Sequence, residues 1–254
     1  MHTTQFILAR TGAPLSLESK QCDTAGFRGE LVERFAQIHD GVTCEHSPGE
    51  GYLLANAVLK LKAVGPVVEC GCYRGGMTAK LSLACAAAGR ELYVCDSFDG
   101  LPKPRLYGGL YRHYANRGDL IGLFGEARQF EAGDYRAALP EVRENVAKFG
   151  NVDVCRFVPG PFAETLPKLD IRPAMVTIDV DLVESARDCL RWLWPRLVGR
   201  RFFTHEAFYD TFMKGILDPS WWQATMNEDI PKVLGAGTGL NPRASCTAVL
   251  MKRG

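Results

Sequence analysis

Glu69, Asp96, Asp179 and Glu206 each stand in or directly after a short apolar run, and His205 precedes the last of them. Carboxylates at such places can accept from ribose hydroxyls, ligate a divalent cation or take up a proton. A histidine of ordinary pKa can serve as a general base near neutrality. The stretch VVECGCYRGG (67–76) adds glycines at 71, 75 and 76, which let backbone pass close to a ligand. An ordinary strand-to-helix loop reads the same way locally, so the elements around it must decide.

Those elements repeat. Val67–Cys70, Leu92–Cys95, Met175–Ile178 and Arg201–Thr204 read as short buried strands, with Val152–Val158 and Cys246–Met251 as two more. Helical stripes lie between them: Met77, Leu81, Ala84 and Ala88; Leu139, Val142, Val146 and Phe149; Ala186, Cys189, Leu190, Leu193 and Trp194. Strand-then-helix units of this kind predict an α/β fold, an open and mostly parallel sheet with helices on both faces. Ligands in such sheets bind beyond the carboxyl ends of the strands, where strand order reverses. Glu69, Asp96, Asp179 and Glu206 all fall at those ends.

The 254 residues read as a single domain, 1–254. Residues 1–65 form an N-terminal extension with helical patterning around Leu53, Leu54, Ala57, Val58 and Leu61. Residues 97–135 form a long insertion with the character of a lid, rich in Arg105, Tyr107, Tyr111, Arg112, His113, Tyr114 and Arg117. A formal net charge of +1 with interspersed signs implies no nucleic-acid face. The absence of a membrane-length apolar run or a basic-then-apolar leader points to a cytoplasmic protein without membrane attachment. Nine scattered cysteines fit a reduced compartment, and Cys70 and Cys72 have no second pair at zinc-ligand spacing.

For the first strand end, spacing leaves a dinucleotide and S-adenosylmethionine both open. Asp96 stands where ribose hydroxyls would be held. The run E-C-G-C-Y-R-G-G puts Tyr73 where a pyrophosphate-binding glycine would stand, which disfavours a diphosphate. A cationic sulfonium nucleoside suits a turn entered through Glu69.

The segments VVECGCYRGGMTAKL, YVCDSFDGLPKP, EVRENVAKFG, RFVPGPFAETLP and TIDVDLVESARDCLRWLWPRL, in this order, resemble the macrocin O-methyltransferase (TylF-type) family. The resemblance implies a Rossmann-like class I methyltransferase fold with a seven-stranded sheet. It also implies an S-adenosylmethionine-dependent O-methyltransferase acting on a hydroxyl of a sugar, nucleotide-sugar or glycosylated natural product, in a homo-oligomer. It places Glu69 and Gly71, with Tyr73 in the same turn, at the methionine end of the cofactor. Asp96 and Ser97 then face the ribose, and Gly160 and Phe162 the adenine.

A sugar hydroxyl does not ionise unaided at neutral pH, so a base or a divalent cation must help. The resemblance implies magnesium on acids at two neighbouring strand ends, matched here by Asp179 and Glu206. The sequence departs from the family at the second position, with Thr204-His205-Glu206 where paired aspartates are usual. His205 is accordingly either a further metal ligand or, with Asp179, part of the catalytic set as a base. Asp181 is a partner of this group or a helix N-cap. Phe208, Tyr209, Trp221 and Trp222 either wall the acceptor pocket or pack in the core. Three alternatives stand beside this reading. They are a dehydrogenase on a similar sheet, a methyltransferase-like binding protein without activity, and a methyltransferase of phenols with His205 as base.

Overall fold

Apolar runs without polar alternation make strands only if both faces are covered. The computed structural model describes residues 29–115, 125–240 and 245–253. In it the strands are β1 (Val67–Cys70), β2 (Leu92–Asp96), β3 (Leu110–Arg112), β4 (Ala127–Gln129), β5 (Cys155–Pro159), β6 (Met175–Ile178), β7 (Arg201–Thr204), β8 (Lys232–Leu234) and β9 (Ala248–Met251). The helices are α1 (Gly29–Gly41), α2 (Pro48–Leu59), α3 (Gly76–Ala87), α4 (Leu139–Phe149), α5 (Phe162–Thr165), α6 (Val183–Leu193), α7 (Asp210–Ile216) and α8 (Pro219–Met226). β1 and β6 are buried at every position.

Seven strands form one sheet in the order β5-β2-β1-β6-β7-β9-β8. The five strands from β5 to β7 run parallel, and β9 lies antiparallel to β7 and β8. The order reverses between β1 and β6, which opens a crevice above their carboxyl ends. Register fixes what meets there. Cys70 pairs with both Cys95 and Ile178, and Ile178 with Thr204. Gly71, Asp96, Asp179 and His205, each one residue further on, therefore leave the sheet at one level.

Two cores cover the two faces. Trp194, Phe212 and Trp222 pack with Val176 and Phe202 on one side. Phe35, Leu54, Leu81 and Val142 pack with Val67, Val94 and Met175 on the other. Each such side chain contributes roughly 1.5–3 kcal/mol by leaving water.

The chain exits β1 through Gly71 at φ +81. A Cβ there would lie 1.8 Å from the Asp179 carbonyl oxygen. Glycine is thus required for β1 and β6 to stay joined at their tips, where Asp179 N donates to Cys70 O at 2.9 Å. The freedom read from the sequence as room for a ligand is used at this position to hold two strand ends together.

Several elements differ from the sequence reading. Val152–Val154 is a 3-10 turn that leads into β5. β8 was not foreseen, being three residues long and largely exposed between Pro231 and Gly235. The described part of the 97–135 insertion is not structureless: β3 and β4 pair antiparallel, and Tyr111 and Phe130 are core residues. The Tyr111 hydroxyl accepts from Val183 N at 2.9 Å, tying the insertion to the start of α6. Arg117 and the first 28 residues lie outside the described residues, so the N-terminal extension is seen from α1 onward. Among the described residues no helix is long and apolar enough to cross a membrane.

Candidate active site

On the β1–β2 side of the crevice, local chain geometry sets the polar groups. Asp96, the last residue of β2, accepts from Cys72 N at 2.7 Å on Oδ2 and from Phe98 N at 2.8 Å on Oδ1. It thereby braces the turns after both strands, and each oxygen keeps a further lone pair. Ser97 closes its own turn, donating to Gly100 O at 2.9 Å and accepting from Asp99 N at 3.1 Å. Gly160 N donates to Asp96 O at 2.9 Å, which sets the loop before α5, with Phe162 half-buried, beside the β2 tip. Tyr73 holds a left-handed φ of 46 and packs edge-on against Tyr135.

Glu69 lies beneath this turn with 2% of its surface exposed, and its Oε2 has no hydrogen-bond partner among the described residues. Burial pushes its pKa up to about 8, with the Thr78 hydroxyl acting against the rise and the Asp179 and Asp96 carboxylates adding to it. A buried acceptor without a donor is costly, and a cationic ligand would relieve it.

On the β6–β7 side, distant segments converge. The sequence Ser47-Pro48-Gly49-Glu50 starts α2 with a capping box: Glu50 Oε2 accepts from Ser47 N at 2.9 Å, and Ser47 Oγ accepts from Glu50 N at 3.3 Å. The other oxygen, Oε1, takes Nδ1 of His205 at 3.0 Å, Cys246 N at 2.8 Å and the Thr247 hydroxyl at 2.7 Å. Burial opposes charge on Glu50, but the adjoining His205 and these donors hold its carboxyl well below the usual carboxylate range. Burial likewise opposes charge on His205, and Glu50 and Asp179 override it, raising the imidazole well above its ordinary value. The His46 ring lies 4.2 Å from that of His205, with its Nδ1 3.5 Å from Asp179 Oδ2. Burial and the neighbouring His205 charge keep His46 neutral.

Asp179 is the hinge of two potential metal-binding groups whose ligand atoms lie within 4.8 Å of one another: His46, Asp179 and His205, and Asp179, Asp181 and Glu206. The expected trio of Asp179, His205 and Glu206 therefore divides between them. Glu206, only 1% exposed, accepts from Val180 N at 2.7 Å and Asp181 N at 2.8 Å on Oε1 and from the Thr204 hydroxyl at 2.9 Å on Oε2. It braces the Asp179–Asp181 turn as Asp96 braces its own. Burial and the Asp179 charge push its pKa up to about 7. Burial raises Asp179 as well, and burial together with the Asp179 and Glu206 carboxylates raises Asp181 further. Three crowded carboxylates, all raised, form an oxygen set suited to a hard divalent cation.

Residues 53–205 match the model of the macrocin O-methyltransferase (TylF) family. The chain belongs to that family. A relative, the 8-demethyl-8-(2,3-dimethoxy-alpha-L-rhamnosyl)-tetracenomycin-C 4'-O-methyltransferase of Streptomyces olivaceus, is 36% identical over 139 residues, 52% of this chain and 49% of that one. The chain thus spans about half the length of the curated relative it matches. Among solved structures, the O-methyltransferase NovP superposes with a TM-score of 0.57 at 22% identity, over 84% of each chain. An SAH-bound methyltransferase of Podospora anserina, PaMTH1, superposes with a TM-score of 0.55 at 13% identity, over 97% of this chain and 94% of that one. The fold is that of the class I methyltransferases, as the strand order alone suggests.

In this TylF-family chain the structure decides between the alternatives left open for Asp181 and the two tryptophans. Asp181 is not a helix cap: α6 starts at Val183 after Leu182, and Asp181, at φ 57, joins the acid group instead. Trp222 is fully buried against Trp194, with Trp221 stacked under Arg187, so these two read as core. Phe208 stays beside His205, with ring centres 6.0 Å apart. Sequence reasoning missed Glu50 and His46. The S-P-G-E capping box was a readable signal for Glu50, but only as a helix start.

Proposed function

We propose that this chain transfers the methyl group of S-adenosylmethionine to a hydroxyl of a sugar or glycosylated natural product. One observation carries the reading: the orphan carboxylate of Glu69 and the acid group centred on Asp179 flank a single switch-point crevice. The rhamnosyl substrate in the relative's name supports a sugar-bearing acceptor. S-adenosylhomocysteine bound to a neighbour of the same fold supports the cofactor.

Glu69 would meet the positive methionine end, and the remaining lone pairs of Asp96 would take the ribose hydroxyls. Transfer is an in-line displacement. The acceptor oxygen forms a bond to the methyl carbon, the sulfur–carbon bond breaks, and the electron pair stays on sulfur. The acceptor proton would pass to Asp179, partly buried at the β6 tip with a raised affinity for protons. Magnesium, if bound, would be held by Asp179, Asp181 and Glu206 and would stabilise developing charge on the acceptor oxygen. His205, held charged by Glu50, supplies a countercharge beside Asp179; as a base it would first have to lose that proton.

Incubating the protein with S-adenosylmethionine and a panel of rhamnosides, with and without a chelator, tests the reading. Methyl transfer lost in chelator and restored by magnesium is the expected result. A protein that binds S-adenosylhomocysteine but methylates no sugar, only phenols, would move the acceptor class.

A further inference from the structure

Lys80 is the conspicuous group left unused by this chemistry. It sits in α3, one turn beyond Gly76, with 1% of its surface exposed and no hydrogen-bond partner for its Nζ among the described residues. Helical side chains lean towards the helix N-terminus, which is the end of α3 that the glycine turn leads into. It packs on α2 so closely that a Cβ on Gly51 would lie 2.9 Å from its Cδ and 3.7 Å from its Nζ.

The loop between α1 and α2 sits on the same end of α3: a Cβ on Gly76 would lie 2.7 Å from the Cys44 Cβ. The Lys80 charge is felt by both Cys44 and His46 in that loop. Neither can neutralise it. Burial raises the Cys44 thiol and keeps it protonated, and His46 is a neutral ring. Glu50 has given Oε1 to His205, Cys246 and Thr247 and Oε2 to Ser47. A buried ammonium without a counter-ion needs an anion from outside the chain.

We propose that Lys80 receives the α-carboxylate of the methyl donor, an inference that rests on the S-adenosylmethionine reading above. The donor carries a single anionic group, at its methionine end, next to an ammonium. The Cys70–Gly76 turn is flanked by an orphan carboxyl oxygen, Glu69 Oε2, on the strand before it, and an orphan amino group, Lys80 Nζ, on the helix after it. With Glu69 ionised against a ligand ammonium, that pair matches an amino-acid zwitterion.

Calorimetric titration of the full chain with S-adenosylhomocysteine and with its decarboxylated analogue separates the possibilities. Lys80→Met should weaken S-adenosylhomocysteine binding roughly 10- to 100-fold, the value of one charge-assisted hydrogen bond. The same variant should bind the decarboxylated analogue as tightly as wild type does. Lys80→Gln, which keeps a polar head, provides the same comparison should the apolar variant not fold. Unchanged S-adenosylhomocysteine affinity in the folded variants overturns the proposal, and so does an equal loss for both compounds. A wild-type protein that binds neither compound overturns the cofactor reading itself, and the role of Lys80 falls with it.

Discussion

At the β1–β2 tip, Asp96 draws its hydrogen bonds from Cys72 and Phe98, donors 24 and two residues away along the chain. At the β6–β7 tip, Glu50 draws its Oε1 donors from residues 155 to 197 positions away. The first arrangement is a strand-and-turn device that a short segment can build alone. The second exists only when an early helix, the middle of the sheet and β9 meet. On the proposed function, the contrast sets a cofactor side that tolerates change elsewhere against an acceptor side coupled to the whole fold.

The hardest test of that contrast is Glu50→Ala. Removing the carboxylate strands the His205 charge and the Thr247 hydroxyl in a buried place, so unfolding free energy should fall by about 3–5 kcal/mol. Urea denaturation would show it. A loss below about 1 kcal/mol would mean that the two sides do not differ in this way.

Asp179→Asn should cut methyl transfer by about 10²–10³-fold, the scale of losing one preorganised polar group. S-adenosylhomocysteine affinity should stay close to wild type, because the cofactor side is built separately. Parallel loss of binding and turnover would erase the division. Asp96→Ala should do the reverse, weakening S-adenosylhomocysteine by about 1.5–3 kcal/mol with a smaller effect on overall stability than Glu50→Ala.

The smallest effect is a pH dependence from Glu69. Its folded pKa of about 8 lies above its ordinary value of 4.5. Between those values the folded, ligand-free protein keeps a proton that the unfolded chain has released, so stability falls as pH rises through that window. The ligand's ammonium prefers the ionised form, so S-adenosylhomocysteine affinity should increase about fivefold between pH 7 and pH 8. Glu69→Gln should flatten both profiles. A wild-type affinity independent of pH in this range would contradict the pairing of Glu69 with the ligand's ammonium.

The same contrast decides what could be read in advance. β1, β2, β6 and β7 were legible because short apolar runs bounded by turn signals read as buried strands, and β2, β6 and β7 carry polar residues at or just past their ends. β8 was not, since three half-exposed residues carry no periodic signal. Asp96, Asp179 and His205 stood out because sheet register brings strand ends to one level, whereas Glu69 lies inside β1, paired with Val94 and Thr177. Glu50 and His46 come from a helix start and a loop with no β-strand to align them, so their approach to His205 depends on tertiary packing that one-dimensional patterns do not encode. The insertion misled for a different reason. Its buried aromatic residues come at irregular intervals, Tyr111 from β3 and Phe130 just after β4, while Tyr107 is exposed.

The bond from Cys246 N to Glu50 also has a bearing on how the molecule is made. It closes a loop of 196 residues and is joined by the Thr247 hydroxyl on the same oxygen. Contacts of such sequence separation form late, because the entropy of closing the loop must be overcome before any contact rewards it. During synthesis β1, α3 and β2 can pair as soon as they emerge, whereas the donor set on Glu50 beside His205 is not complete until the segment leading into β9 has docked. On the proposed function, the nascent chain should therefore gain a cofactor-competent turn first and become a catalyst only as β9 docks.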